Sequence, residues 1–231
     1  MKITLAFLLL SLTYCSHLRS LASTPDYDSF VLAVQWPSGL CASETSICKE
    51  KLAKMKKNTM SIHGLWPSLK SGKMLPQCNS GTTIDVENDG SAIFEQMENV
   101  WPSFMKTDEN FWTHEYNKHG YCYVNENNLS GYKDYFEHTI NFFYEYGFED
   151  MMKKAYGDRS GEAVQTTLSE LQEKIELYYP GSVFKAICKG SNNKTYLTEM
   201  YFYFDLDFKP TNKVKFSGGC SKTKKFYINF K

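Results

Sequence analysis

The sequence predicts an α+β fold in a single domain, on three observations. Strand-prone segments lie towards both ends of the chain with helical periodicity between them, unlike the regular alternation of a wound α/β sheet. No internal repeat, low-complexity tract or Pro/Gly/Ser linker divides residues 23–231. A composition of 42% apolar and 16% aromatic residues supplies a packed core and excludes a disordered chain.

The N-terminus reads as a leader rather than as part of that domain. Lys2 gives a positive start, Ile3 to Leu12 is almost wholly apolar, and Ser20-Leu21-Ala22 offers small residues where a signal peptidase inspects them. The run is too short to span a bilayer as a mature helix. No other long apolar run exists, which excludes a multi-span membrane protein. Residues 1–22 are therefore expected to be a signal peptide, cut somewhere between Cys15 and Ala22, with the mature chain starting near Ser23.

The remaining elements follow in order. Phe30–Trp36 (FVLAVQW) is a buried strand closed by Pro37. Ser43–Lys57 is a lysine-rich surface helix carrying Cys48, and Met60–Trp66 is a second strand ending at Pro67. The middle is helical over Ser91–Val100, Phe111–Tyr123 and Tyr132–Gly147, the last placing Phe136, Ile140 and Phe143 on one core-facing stripe. Glu162–Leu177 reads as an amphipathic helix stopped by Pro180. Beyond it Val183–Cys188, Tyr196–Phe208 and Phe226–Phe230 are aromatic and β-prone.

Charge and cysteine usage narrow the functional classes. The chain has 26 basic and 26 acidic residues; losing Lys2 and Arg19 with the leader leaves 24 against 26, with Arg159 the only arginine. Proteins that grip long nucleic acid tightly carry a basic surplus. This chain meets any polyanion only briefly and locally. With Cys15 removed, the six cysteines at 41, 48, 78, 122, 188 and 220 are an even number, suited to three disulfides in an oxidising compartment. There is no CxxC pair, which disfavours a zinc ribbon. Asn128-Leu-Ser130 and Asn193-Lys-Thr195 are glycosylation sequons that fit export.

Three of the four mature histidines lie in two clusters: Ser61-Ile-His63-Gly-Leu-Trp66-Pro67, and Phe111-Trp-Thr-His114-Glu115-Tyr-Asn-Lys118-His119-Gly-Tyr-Cys122. On an α-helix at about 100° per residue, His114, Glu115, Lys118 and His119 share an arc of roughly 140°. Two imidazoles, a carboxylate and an ammonium on one face suit acid–base chemistry on an anionic substrate. The bland alternative is a solvated charged face. A metal site is the sharper competitor, but His-Glu-x-x-x-His misses the i, i+4 spacing that stacks two ligands. His138 reads as a packed or capping residue, and Cys122 as half of a disulfide rather than a nucleophile.

The two clusters resemble the paired active-site segments of the ribonuclease T2 family, which carry HGLWP and FWxHEWxKHGxC. The resemblance extends to Phe30–Pro37, Trp101-Pro102-Ser103, Cys188 and Cys220, so it runs over nearly the whole mature chain. It implies a central antiparallel sheet flanked by helices, and residues 23–231 as a catalytic domain. It also implies metal-independent, cofactor-free cleavage of single-stranded RNA through a 2′,3′-cyclic phosphate. His119 would be the base that takes the 2′-OH proton and His63 the acid that protonates the departing 5′-oxygen. His114, Glu115 and Lys118 would hold the phosphate, and Trp66 and Phe111 would wall the substrate site. DNA lacks the 2′-OH and would not react. The resemblance further implies Cys78–Cys122 and Cys188–Cys220 bridges, which leaves Cys41 with Cys48.

Three positions depart from the family pattern. Ser68 stands where many members have Asp or Asn touching the base. Tyr116 replaces a frequent Trp and is read as packing, and Tyr121 replaces a small residue and is expected to narrow the site. The reading is thus an endoribonuclease of the secretory pathway, extracellular or in a lysosome- or vacuole-like compartment. It is expected to be a monomer with Asn128 and Asn193 as glycosylation sites and no stable membrane association. A binding or signalling protein and a zinc hydrolase are the competing classes. Persistence of function in His119→Ala would reveal the first, and loss of activity in chelator the second.

Overall fold

All seven residues of β1 (Ser29–Gln35) are buried, as befits a strand covered on both faces. Phe30, Leu32 and Val34 join the main core, whereas Val31 and Ala33 join a small cluster with Trp66 and Tyr203 on the opposite face. The computed structural model describes residues 27–42, 46–72, 75, 78, 81–89, 92–127, 129–191, 193–213 and 218–230. Residues 1–22, expected as a leader, and Asn128 lie outside the described residues; Asn193 is exposed in the turn between two strands.

A six-stranded sheet runs in the order β2-β1-β5-β6-β3, with β4 also paired to β5. Here β2 is Ser61–Ser68, β3 Ala163–Thr166, β4 Phe184–Ser191, β5 Lys194–Phe204 and β6 Phe226–Asn229. The pairs β1/β2, β1/β5, β3/β6 and β4/β5 are antiparallel, but β5 and β6 meet in parallel at Tyr196↔Tyr227. The expected antiparallel sheet is therefore mixed. The reason is the long connection from β5 to β6, a crossover of the length that parallel pairing requires. It passes beside β4, where the Cys220 amide bonds to the Ala186 carbonyl.

The helices are α1 (Pro37–Leu40), α2 (Ser46–Lys54), α3 (Val86–Asp89), α4 (Ala92–Val100), α5 (Asp108–Glu115), α6 (Tyr121–Glu126), α7 (Tyr132–Glu145), α8 (Met151–Tyr156) and α9 (Leu168–Glu176). A π-helical turn, Tyr116–Gly120, joins α5 to α6. The main core lies between the sheet and the helices, and Phe136, Ile140 and Phe143 of α7 point into it as the periodicity predicts. Three fully buried tryptophans knit strands, loops and helices together, each indole N–H satisfied by a backbone carbonyl. Trp36 donates to Asn229, Trp101 to His63 and Trp112 to Trp101, at 2.8–2.9 Å.

Two expected elements change. The segment read as one helix over Glu162–Leu177 is a strand followed by a helix. Ala163–Thr166 pairs with β6, and Thr167 then starts α9 with a reciprocal capping box to Glu170. Pairing with a C-terminal strand outweighs local periodicity there. The strand expected over Tyr196–Phe208 ends at Phe204, because Asp205 to Phe208 form a turn in which Phe208 takes φ 57°.

Among the described residues three disulfides are formed: Cys41–Cys48, Cys78–Cys122 and Cys188–Cys220, with Cα separations of 5.5, 5.5 and 4.9 Å. The first packs with Leu40 and Phe104 in a satellite cluster. No described helix is long and apolar enough to cross a membrane.

Candidate active site

The site begins with an irregularity in β2. Ala33 pairs with Gly64 and Val34 with Ile62, so His63 is the extra residue of a β-bulge. Ile62 and Leu65 are three apart and would face opposite sides of a regular strand, yet both reach the helix-side core. The bulge resets the alternation, leaving His63 and Trp66 at the edge of the other face. The Trp101 indole, 2.8 Å from the His63 carbonyl, pins the bulged backbone.

The second segment comes from α5 and the π-turn. Thr107 caps α5 through its side chain, which accepts from the Asn110 amide. At the far end the Tyr121 N–H bonds five residues back to Tyr116, and the turn widens. This changes the helical-wheel expectation: His119 follows His114 by five residues across a π-turn, so it is rotated less than an α-helix dictates. Gly120 makes the packing feasible, since a Cβ there would lie 2.7–2.8 Å from the rings of Tyr135 and Tyr116. Tyr135 of α7 in turn donates to the Leu65 carbonyl at 3.0 Å, holding helix and strand together.

The two segments meet through Trp66 and Glu115. The Trp66 indole donates to Glu115 Oε2 at 2.9 Å, and Glu115 Oε1 lies 3.7 Å from His63 Nε2. A Cβ on Gly64 would sit 2.3 Å from Glu115 Oε2, so only glycine permits this approach. The His119 ring stacks on Trp66 with centroids 5.1 Å apart, while Phe111 closes on His63 at 5.6 Å.

All seven residues singled out in the sequence, His63, Trp66, Phe111, His114, Glu115, Lys118 and His119, line one cavity of about 500 Å³. Sequence reasoning missed Gln35, Lys189, Glu199 and Tyr201 on the same wall. Glu199 accepts from His63 Nδ1 at 3.0 Å and from the Tyr201 hydroxyl at 2.9 Å. One signal was available: Glu199 is the only charged residue in the run Thr195–Phe204.

Electrostatics separate the two central imidazoles. Burial pushes His119 down to about 3, helped by the Lys118 ammonium and by the charges of His63 and His114. Burial acts the same way on His63, but the Glu199 hydrogen bond and the charges of Glu115 and Glu199 outweigh it and the opposing Lys118, so His63 is raised. Glu115 is raised by its own burial against the pull of His63, Trp66 and Lys118. Glu199 is lowered: its burial is overcome by the His63 hydrogen bond and charge, the Tyr201 hydroxyl and Lys189. Exposed His114 is lowered by partial burial, then by Lys118 and Lys106. Among the described residues, no group of three or more His, Cys, Asp or Glu side chains is placed to hold a metal ion.

The profile of the Ribonuclease T2 family matches residues 27–220. The chain belongs to the ribonuclease T2 family. It is similar to intracellular ribonuclease LX of Solanum lycopersicum, with 36% identity over 103 residues, a stretch spanning 43% of each chain. The chain thus spans under half the length of that relative. It is also similar to ribonuclease Rh of Rhizopus niveus, 27% identical over 217 residues that cover 86% of this chain and 82% of the other. Among solved structures, RNase NT in complex with 5′-AMP superposes with a TM-score of 0.68 at 25% identity, over 89% of this chain and 99% of that one.

Two departures from the T2 pattern resolve as packing. Tyr116 is buried among Tyr121, Tyr132, Tyr135 and Phe136, as expected. Contrary to expectation, Tyr121 packs against Tyr116 and the core and is not among the cavity-lining residues, so it does not narrow the site. Ser68 turns its hydroxyl to the Trp66 carbonyl at 3.0 Å and also lies off the cavity wall. His138 is exposed on α7, with Nδ1 3.1 Å from the Tyr123 hydroxyl. It is bonded at the surface rather than packed in the core.

Proposed function

We propose that this protein is a T2-type endoribonuclease that cleaves single-stranded RNA by transphosphorylation, without a metal or other cofactor. The observation that carries this reading is one cavity holding two imidazoles shifted in opposite directions, His119 down and His63 up. At mildly acidic pH the first is a free base and the second an acid, the pair that a proton-in, proton-out reaction needs.

In this scheme His119 takes the proton of the ribose 2′-OH. The 2′-oxygen attacks phosphorus, the bond to the 5′-oxygen breaks, and His63 supplies that oxygen with a proton. Lys118, His114 and the protonated His63 face the charge that builds on the phosphoryl oxygens. Glu115, held by the Trp66 indole, acts on His63 through its charge, which favours the protonated imidazole. Trp66 and Phe111 give apolar walls for the nucleotide. Water opens the 2′,3′-cyclic phosphate with the histidine roles exchanged.

Residues 1–22 are a signal peptide and residues 23–231 the catalytic domain. The protein is a monomer exported through the secretory pathway and glycosylated at Asn128 and Asn193. It does not act on DNA or associate stably with membranes. The test is an RNA oligonucleotide and its all-deoxy analogue incubated with the protein in EDTA. Cleavage of the RNA alone is expected. Cleavage of the DNA, or loss of activity in EDTA that zinc or magnesium restores, would refute the proposal.

A further inference from the structure

Glu199 lies in neither histidine segment, yet it reaches the His63 ring across 136 residues of sequence. Both partners sit at bulges. His63 is the extra residue in β2, and beside Glu199 the register shifts so that Ile187 pairs with Glu199 and Cys188 with Leu197, leaving Thr198 unpaired. Leu197 and Glu199 would share a face in a regular strand. Instead Leu197 enters the main core with Met200 and Phe202, while Glu199 turns to the cavity. Two breaks in alternation, on strands separated by β1, thus bring one carboxylate and one imidazole together.

We propose that Glu199, held by Tyr201, is a positioning residue for the acid step: by accepting a hydrogen bond from Nδ1–H of His63 it holds the ring so that Nε2 faces the leaving oxygen with the proton it must give. This rests on the reading of His63 as the acid. Nδ1 is 3.0 Å from Glu199 Oε2, whereas Nε2 is 3.7 Å from Glu115 Oε1, beyond hydrogen-bond range. A carboxylate can only accept from the ring, so the hydrogen bond fixes which nitrogen carries a proton in the neutral form. The same oxygen receives the Tyr201 hydroxyl, and the Tyr201 ring stands edge-on to Trp66 at 5.1 Å. The carboxylate is thereby locked in place. The Glu199 side chain is 9% exposed and that of His63 24%, so the bond lies largely out of bulk water.

The other charged groups facing His63 have separate tasks. Glu115 is shared with the Trp66 indole, and Lys118, His119 and His114 oppose further positive charge. Removing the Glu199 charge therefore weakens the hold on Nδ1 and lets His63 lose its proton at lower pH.

The experiment compares Glu199→Gln, Glu199→Asp and His63→Ala with the wild type on two substrates. One is a diribonucleotide, whose alkoxide leaving group needs a proton. The other is a ribonucleoside 3′-(4-nitrophenyl phosphate), whose leaving group does not. For Glu199→Gln, kcat/KM on the diribonucleotide should fall about 10- to 100-fold, far more than on the nitrophenyl ester. Its alkaline limb should move to lower pH, and the Nδ1 proton resonance of His63 should shift or vanish. Glu199→Asp, which keeps the charge, should lie between. Equal losses on both substrates with an unmoved alkaline limb would overturn the proposal. If Glu199→Gln fails to fold, the same comparison in Glu199→Asp decides. A His63→Ala protein with wild-type activity on the diribonucleotide would sink the acid assignment itself. If His63→Ala loses that activity while Glu199→Gln behaves as wild type, only the role of Glu199 fails.

Discussion

His119 is flanked in the chain by Lys118 and stacked on Trp66, and burial with that ammonium pushes its imidazole down to about 3. His63, between Glu199 and Glu115, is raised above 6.5. With His119 as the proposed base, which must be unprotonated, activity is lost as pH falls through its value. With His63 as the proposed acid, which must be protonated, activity is lost as pH rises through its value. A bell in kcat/KM against pH follows, its acid limb well below the ordinary imidazole range and its alkaline limb above about 6.5. Its maximum lies at mildly acidic pH, which initial rates across a buffer series will locate. His63→Ala and His119→Ala should each lose roughly 10²- to 10⁴-fold in rate. His138→Ala should not, because its ring bonds to Tyr123 at the surface of α7 and is not among the residues that line the cavity. Steady-state kinetics on one RNA substrate reads all three. At this scale the sequence was informative wherever chemistry was dense. Seven cavity residues cluster in two short segments, whereas Glu199, Tyr201, Gln35 and Lys189 come singly from strands whose register no local pattern reveals.

The elements show how irregular backbone delivers those side chains. A bulge aims His63, a π-turn aims His119, and Gly64 lets Glu115 and Trp66 close over the strand. Gly64→Ala would push a methyl group to 2.3 Å from Glu115 Oε2. The variant should lose about 1–3 kcal/mol of stability and most of its activity, measured by thermal melts alongside kcat. A melt like wild type with full activity would mean that Glu115 is not constrained there. Regular elements were legible: the stripe on α7 and the alternation in β1 follow from period alone. The irregular ones were not. Neither bulge nor π-turn leaves a periodic mark, and β3 was hidden because Ala163–Thr166 gains its partner from the far end of the chain.

For the whole molecule, the main core packs helices on one face of the sheet, and the cavity forms where α5 and its π-turn meet side chains of the other face. The Cys78–Cys122 bridge, spanning 44 residues, ties the chain after β2 to α6, next to the turn that carries His119. Replacing both cysteines with serine should cost about 4 kcal/mol, seen as a lower melting temperature, with activity falling because the two histidine segments lose their tether. An even cysteine count made three bridges legible, but their pairing came from family resemblance. The mixed sheet was not legible, since the parallel β5/β6 contact rests on a single long-range pair. The order of products is read by following a diribonucleotide in EDTA with phosphorus NMR. A 2′,3′-cyclic phosphate should appear first and decay to a monophosphate, and neither should form with His63→Ala or His119→Ala at comparable times. A monophosphate that appears without the cyclic ester ever preceding it would contradict the account.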